Sequence, residues 1–397
     1  MADVQSSHAD SNRHALVLGA SGIIGWACVN ALLSDYPTED AFRKVTALTN
    51  RPLDPEANLW PTSSKLQLIS GIDILQGDQH QLEKTLRERT SIATVTQVYF
   101  CAYIQDSDPS KETQINGDLL QRAVIAIEKL APNLEFVLLP IGTKNYGVIH
   151  VKEFPFHDLP MKESQPRIPE PFASDLFYYK QLDILQELSR SKKWSYCAVI
   201  PDVIVGYVPT SNYFCSSKRI ARYLSLIREK EGQGARVPFP GFARCWTVVN
   251  NDSGQDIVAR FSIFASLHPQ RTADQLYNIA DNARPASWSE KWPILCEYFG
   301  LQGMGPTETS AAEADDWEGK HASEWQALET KYGLRKVELS RMKYQFPISA
   351  GMALFDKDRP LSLTKAYDLW GDMKEETNIQ TAWWGAFDRF RRAKMIP

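Results

Sequence analysis

Residues 15–25 read ALVLGASGIIG, and this stretch decides the fold. A short apolar run leads into Gly19, Gly22 and Gly25 at three-residue spacing, and the apolar start of a helix follows. Glycines in this arrangement let the backbone turn tightly and approach a dinucleotide pyrophosphate, which sits on the N-terminus of the next helix. Three glycines alone are a weak signal. The strand before them, the helix after them and the regular alternation that follows make it a strong one.

The periodicity predicts strands at 15–18, 44–48, 66–70, 97–102, 135–139 and 195–200. Helices are expected at about 23–33, 81–89, 116–130 and 173–189. Several strands are apolar runs rather than alternating ones, as strands buried on both faces should be. The stretch 142–171 is irregular and proline-rich, which suits an active-site wall. Beyond residue 206 the pattern becomes mostly helical, with helices at 218–230, 257–267, 287–299 and about 381–394 and one further strand at 275–278. Residues 300–319 are polar and read as a mobile loop, with a lid or an insertion as its two uses. The expected class is therefore α/β, a Rossmann-type doubly wound parallel sheet with a smaller, mostly helical C-terminal substrate-binding region.

The chain has 397 residues, 43% of them apolar, which is ample for a large core. A net charge of −4 and the lack of basic runs interleaved with aromatics argue against a nucleic-acid partner. No apolar segment is long enough to cross a membrane, and the polar start MADVQSSHADSNRH lacks a signal-peptide core, so a cytoplasmic protein is expected. The six cysteines are scattered without metal-ligand spacing, and no metal site is expected. Eight of the eleven tryptophans lie after residue 245. They either enclose something apolar or build a tryptophan-rich core.

The chemistry should lie at the carboxyl ends of the strands, where open parallel sheets bind ligands. After strand two stands Thr49-Asn50-Arg51, with no carboxylate for the ribose of NAD. An arginine there suits the extra phosphate of NADP; a solvated surface position is the alternative. Asp73, after strand three, is placed either for the adenine edge or for a turn. After strand five comes Gly142-Thr143-Lys144-Asn145-Tyr146. A lysine there can hold ribose hydroxyls and lower the pKa of a nearby phenol; a solvated lysine is the alternative. Phe177-Tyr178-Tyr179 opens the following helix, and adjacent tyrosines point about 100° apart, so one can act while the other packs. The usual short-chain dehydrogenase spacing, lysine four residues after tyrosine, is absent: Leu182, Asp183 and His150 occupy those places after Tyr178, Tyr179 and Tyr146. His150 and His157 lie in the loop beside the site and read as solvated or hydrogen-bonded loop residues, with proton donation as the alternative, and Cys101 reads as a strand core residue rather than a nucleophile.

These residues resemble those of the progesterone 5β-reductase and iridoid synthase family, atypical extended short-chain dehydrogenases/reductases. The likeness runs from the GASGIIGW turn through Arg51, Asp73, Asn116-Gly117, the Lys144-Asn145-Tyr146 motif and Phe177-Tyr178-Tyr179 with Asp183, to Trp194-Ser195, Pro201–Gly206 and the closing segment 383–397. The family's catalytic tyrosine carries over to Tyr178 and its lysine to Lys144. The resemblance implies NADPH as cofactor and hydride delivery to the β-carbon of an enone or enal, with tyrosine and lysine stabilising the enolate. Carbonyl reduction and redox-neutral isomerisation or cyclisation on the same scaffold are the alternatives.

The set expected around the dinucleotide is Gly19, Ser21, Gly22, Ile23, Ile24, Asn50, Arg51, Asp73, Ile74, Ala102, Pro201 and Ile204. The substrate is expected to be a small apolar carbonyl compound. Phe239, Phe242, Trp246, Phe346 and Phe355 are candidates for its pocket. The expected organisation is a frayed terminus at 1–13, an NADP-binding domain at 14–206 and a mainly substrate-binding region at 207–397, with some segments returning to the core. The family contains dimers, so a homodimer is allowed, though nothing in the sequence specifies an interface. Three departures bear on substrate. The lysine loop runs NYGVIHVKEFPFHD, residues after strand four read AYIQDSD without the family's tryptophan, and strand six ends Ile200-Pro201-Asp202 rather than with arginine before proline.

Overall fold

Seven parallel strands form the central sheet of the computed structural model, in the order β7-β6-β5-β4-β1-β2-β3. They are β1 (His14–Leu18), β2 (Lys44–Thr49), β3 (Leu66–Ser70), β4 (Gln97–Phe100), β5 (Phe136–Pro140), β6 (Ser195–Pro201) and β7 (Gln275–Ile279). The structure describes residues 12–53, 55–150, 153, 158–210, 215–311, 317–336 and 356–397. Most of the expected frayed terminus, together with His157, Phe346 and Phe355, lies outside these.

Burial explains the apolar strands. Along β1, Ala15 and Val17 join one hydrophobic cluster while Leu16 and Leu18 join the other. The same alternation places Leu138 of β5 in the first cluster and Val137 and Leu139 in the second. Both faces are covered, so both sets must be apolar. Helices α1 (Ile23–Leu33) and α6 (Gln255–Ser266) cover one face, and α2 (Gln79–Arg89), α3 (Pro109–Leu130) and α4 (Phe177–Ser189) the other. Helix α1 is buried at every position but Asn30, as expected of a helix apolar all round.

Three expectations are corrected. Helix α3 starts two turns before the expected residue 116, because Asp108 caps it by accepting the amides of Ser110 at 3.0 Å and Lys111 at 3.4 Å, with Pro109 in its first turn. The expected helix from 173 is interrupted: Phe172–Asp175 is a 3-10 turn, Leu176 is extended, and α4 begins at Phe177. Residues 300–319 are not simply a loop. Gln302–Met304 forms a parallel strand beside Arg236–Pro238, and Trp317 is buried, edge-on to Tyr223 with the ring centres 5.3 Å apart. Residues 312–316, the middle of that stretch, lie outside the described ones.

The order of strands places β1 between β4 and β2, so the direction in which successive strands are added across the sheet reverses there and a crevice opens at the carboxyl ends of β1 and β4. The C-terminal half supplies β7 to the sheet edge. It also supplies α5 (Ser216–Glu231) and the helix Ile379–Arg392, whose Trp383, Phe387 and Phe390 join the cluster holding α1. No helix among the described residues is long and apolar enough to cross a membrane.

Candidate active site

The turn after β1 fits a phosphate. Gly19 has φ +72°, and a Cβ there would stand 2.6 Å from the Cys101 carbonyl, so the turn and the end of β4 touch backbone to backbone. A Cβ on Gly25 would lie 2.3 Å from the Gly19 carbonyl oxygen, so α1 packs directly against the turn. The N-cap is Gly22, which offers no side-chain cap, and no acidic residue stands in the first turn. Backbone N–H groups and the positive end of the helix dipole are thus presented to an anion without local competition. A dinucleotide pyrophosphate fits this cradle.

Beside it lies a cavity of about 400 Å³. Its mostly apolar wall contains Gly22, Ile23, Ile24, Ala102, Lys144, Tyr178, Pro201 and Ile204, eight of the fourteen residues expected from sequence. Gly19 and Ser21 belong to the turn itself. Asn50, Arg51, Asp73 and Ile74 lie outside the wall, in the turns after β2 and β3, along the same edge of the sheet. Arg51 is exposed there. The Asp73 carboxylate accepts the Leu75 amide at 3.0 Å, which is the turn role that its sequence left open.

The two tyrosines of α4 divide their duties. Tyr178 faces the cavity, and the position of a Cβ on Gly142 lies 3.1 Å from its hydroxyl, so glycine leaves that oxygen its room. Burial, with the Glu112 carboxylate adding to it, pushes the Tyr178 phenol well above its ordinary value. The direction is upward, not the lowering expected from a nearby lysine, and it keeps the phenol a proton-bearing donor. Tyr179 packs instead: its hydroxyl donates to the Asn145 carbonyl at 2.6 Å and accepts the Ile168 amide at 3.0 Å, and the Arg167 guanidinium lies 4.8 Å from its ring centre.

Lys144 sits on the 3-10 turn Thr143–Tyr146, closed by Gly147 at φ +74°. The turn is held at several points. Thr143 Oγ1 donates to Asp202 Oδ1 at 2.8 Å, Tyr179 holds the Asn145 carbonyl, and the Tyr146 hydroxyl donates to Asn278 Oδ1 at 2.6 Å. Asn278, on β7, donates its amide nitrogen in turn to the Met161 and Ser362 carbonyls. Sequence reasoning missed Asp202 and Asn278, whose partners are far away along the chain.

The aromatic wall also differs from expectation. Phe239, Phe242 and Trp246 do not line the cavity. Phe239 is fully buried among Trp246, Trp288 and Trp292 as core. Tyr103, Phe177 and Trp288 line it instead. The Tyr103 ring stacks on Phe177 at 5.2 Å, and its hydroxyl donates to the Glu112 carboxylate. Of the late tryptophans, Trp288 meets the cavity while Trp292, Trp370 and Trp383 are core. Cys101 also lines it, with its thiol held well above the usual range by the neighbouring Cys28 thiol and by burial, so it is not an activated nucleophile. His150 packs 4.9 Å from Phe172 and is not part of the wall.

A PRISE-like Rossmann-fold domain matches residues 15–397. The chain belongs to this family. The short chain dehydrogenase ausT of Aspergillus calidoustus is 35% identical over 98% of this chain and 95% of its own. The 3-oxo-Delta(4,5)-steroid 5-beta-reductase of Arabidopsis thaliana is 26% identical over 96% of this chain and 93% of its own. Among solved structures, the UDP-glucuronic acid 4-epimerase of Bacillus cereus in complex with NAD shares the fold, with a TM-score of 0.60 at 14% identity, covering 96% of this chain and 99% of that one. The PRISE-like chain is thus an oxidoreductase of the short-chain dehydrogenase/reductase type, without that type's usual tyrosine–lysine spacing.

Proposed function

We propose that the protein is an NADPH-dependent reductase of activated C=C bonds, acting on a small apolar enone or enal. One observation carries the reading: Tyr178 and Lys144, from separate elements, wall one mostly apolar cavity that begins at the phosphate cradle of α1. When bound, NADPH supplies the hydride. The turn and α1 would hold its pyrophosphate, Arg51 would meet the extra phosphate, and Pro201 and Ile204 would flank the nicotinamide. Tyr178, a protonated phenol in an apolar setting, donates a hydrogen bond to the carbonyl oxygen and strengthens it as negative charge develops there. Lys144 adds positive charge to the same region. The apolar wall excludes water, so both act at low local dielectric.

The name of the Arabidopsis relative, a steroid 5β-reductase, supports reduction of an enone on this scaffold. The test is NADPH oxidation by the purified protein across enals, enones, ketones and aldehydes, with product analysis. Saturated carbonyl products are expected. Alcohol products would overturn C=C reduction in favour of carbonyl reduction, and isomers formed without NADPH consumption would overturn net reduction altogether.

A further inference from the structure

The cavity wall contains a carboxylate that the proposed reaction does not use. Asp202 follows Pro201 at the end of β6, and its side chain is 1% exposed. A buried carboxylate is costly unless its oxygens are fully engaged. Here Oδ1 accepts Thr143 Oγ1 at 2.8 Å, and Oδ2 accepts Arg359 Nε at 3.0 Å and Asn250 Nδ2 at 3.3 Å. The Asp202 amide donates to Ser253 Oγ at 3.0 Å, so the residue is fixed from both sides.

The partners come from three separate parts of the chain, around residues 143, 250 and 359. Arg359 is buried too, and its amide donates to the Val249 carbonyl at 3.0 Å. The segment that carries it continues through Pro360, whose carbonyl accepts the Met161 amide at 2.8 Å, and Leu361, whose amide donates to Asn251 at 2.8 Å. This C-terminal strap therefore reaches the lysine turn through one ion pair and one hydroxyl. Thr143 immediately precedes Lys144 and opens the turn that presents it. Ion pairs taken out of water add little net stability, and their best-attested use is to select one geometry.

We propose that Asp202, balanced by Arg359, is the positioning residue of the site: it acts through Thr143 to fix the turn that presents Lys144. The strap around Arg359 thereby completes the catalytic arrangement from the far end of the chain. This rests on Lys144 having the role given above.

The test uses the full chain with NADPH and compares Thr143→Val, which keeps the shape of the side chain and removes the donor, with Thr143→Ser, which keeps the donor. Asp202→Asn, which keeps an acceptor and removes the charge, is the third variant. Thr143→Val should lower kcat about tenfold while KM and the NADPH dissociation constant stay within about twofold, and Thr143→Ser should restore most of the rate. Thr143→Val with wild-type kcat, or a loss shared equally by Thr143→Ser, overturns the proposal. A second readout needs no substrate: the rate of Lys144 modification by limiting trinitrobenzenesulfonate, followed by peptide mass analysis. It should change several-fold in Thr143→Val and Asp202→Asn but not in Thr143→Ser. If that shift occurs while no enone or enal is turned over, the positioning role stands and the reductase reading fails. Equal labelling in all proteins overturns the positioning role, whatever the turnover.

Discussion

The hydroxyl of Tyr179 donates to the backbone carbonyl of Asn145 at 2.6 Å, so the tyrosine next to the proposed catalytic one holds the residue next to the proposed catalytic lysine. The same oxygen accepts the Ile168 amide, and both contacts are lost together in Tyr179→Phe. Loss of hydrogen bonds to buried backbone groups should cost about 1–3 kcal/mol. We expect a lower Tm and a lower kcat in this variant. Thermal melts read beside turnover check it, and an unchanged Tm would contradict the clasp.

Tyr178→Phe separates the two tyrosines. The ring stays, and the donor to the developing oxyanion goes. The expected loss in kcat is about 10²–10³, the usual cost of one such donor. Because the proposed role involves no cofactor contact, NADPH affinity and Tm should be close to wild type. Stopped-flow turnover with fluorescence titration of NADPH checks both halves, and an undiminished rate would remove Tyr178 from the chemistry.

Arg51 is exposed at the end of β2, with no carboxylate among Thr49, Asn50 and Arg51 to claim ribose hydroxyls. Arg51→Glu should weaken NADPH by about 10- to 100-fold, the worth of a charge-assisted contact to phosphate, while leaving NADH nearly unaffected. Equal weakening of the two cofactors would show that Arg51 does not read the phosphate.

The nucleotide half was legible in the sequence because its signals are local. The turn ALVLGASGIIG, the doubly buried strands and the prolines that end them each declare themselves within a few residues. Lys144 and Tyr178 came from motif likeness, and the structure brings both into one cavity. The missed start of α3 was local too, since Asp108-Pro109 is a readable helix opening. What stayed hidden is long-range. Asp202 and Arg359 are 157 residues apart, and no periodicity says that they meet. Phe239 fits a pocket wall as well as a core by composition, and only packing against Trp288 and Trp292 decides for the core.

His14 gives the fold an acid sensitivity. Its ring lies between the Thr94 and Thr46 hydroxyls, at 2.9 and 2.8 Å. Burial, and then the charge of Lys44, lower its pKa from 6.5 to about 4. Above pH 6.5 the ring is neutral in both states and contributes no pH dependence. Below it the unfolded chain binds the proton first, so stability falls as pH falls from 6.5 towards about 4, by on the order of 3 kcal/mol. His14→Gln should flatten that part of the profile. Urea unfolding at pH 7 and pH 4.5 checks this, and an equal drop in wild type and variant would assign the sensitivity elsewhere.

Gly142→Ala probes the space around the Tyr178 hydroxyl. The backbone at Gly142 is extended, with φ −168° and ψ 176°, so alanine is conformationally acceptable. The new Cβ would stand 3.1 Å from the Tyr178 hydroxyl and 3.7 Å from the Pro201 carbonyl oxygen, so the phenol must shift by a few tenths of an ångström. A donor aimed at a developing charge loses much of its effect when displaced, and about a tenfold fall in kcat is expected. Stability should move the other way or not at all, since replacing glycine where alanine fits gains about 0.4–1 kcal/mol through the unfolded chain. A slower enzyme with an undiminished Tm is therefore the expected result. Wild-type kcat in this variant would mean that the position of the Tyr178 hydroxyl does not limit the reaction.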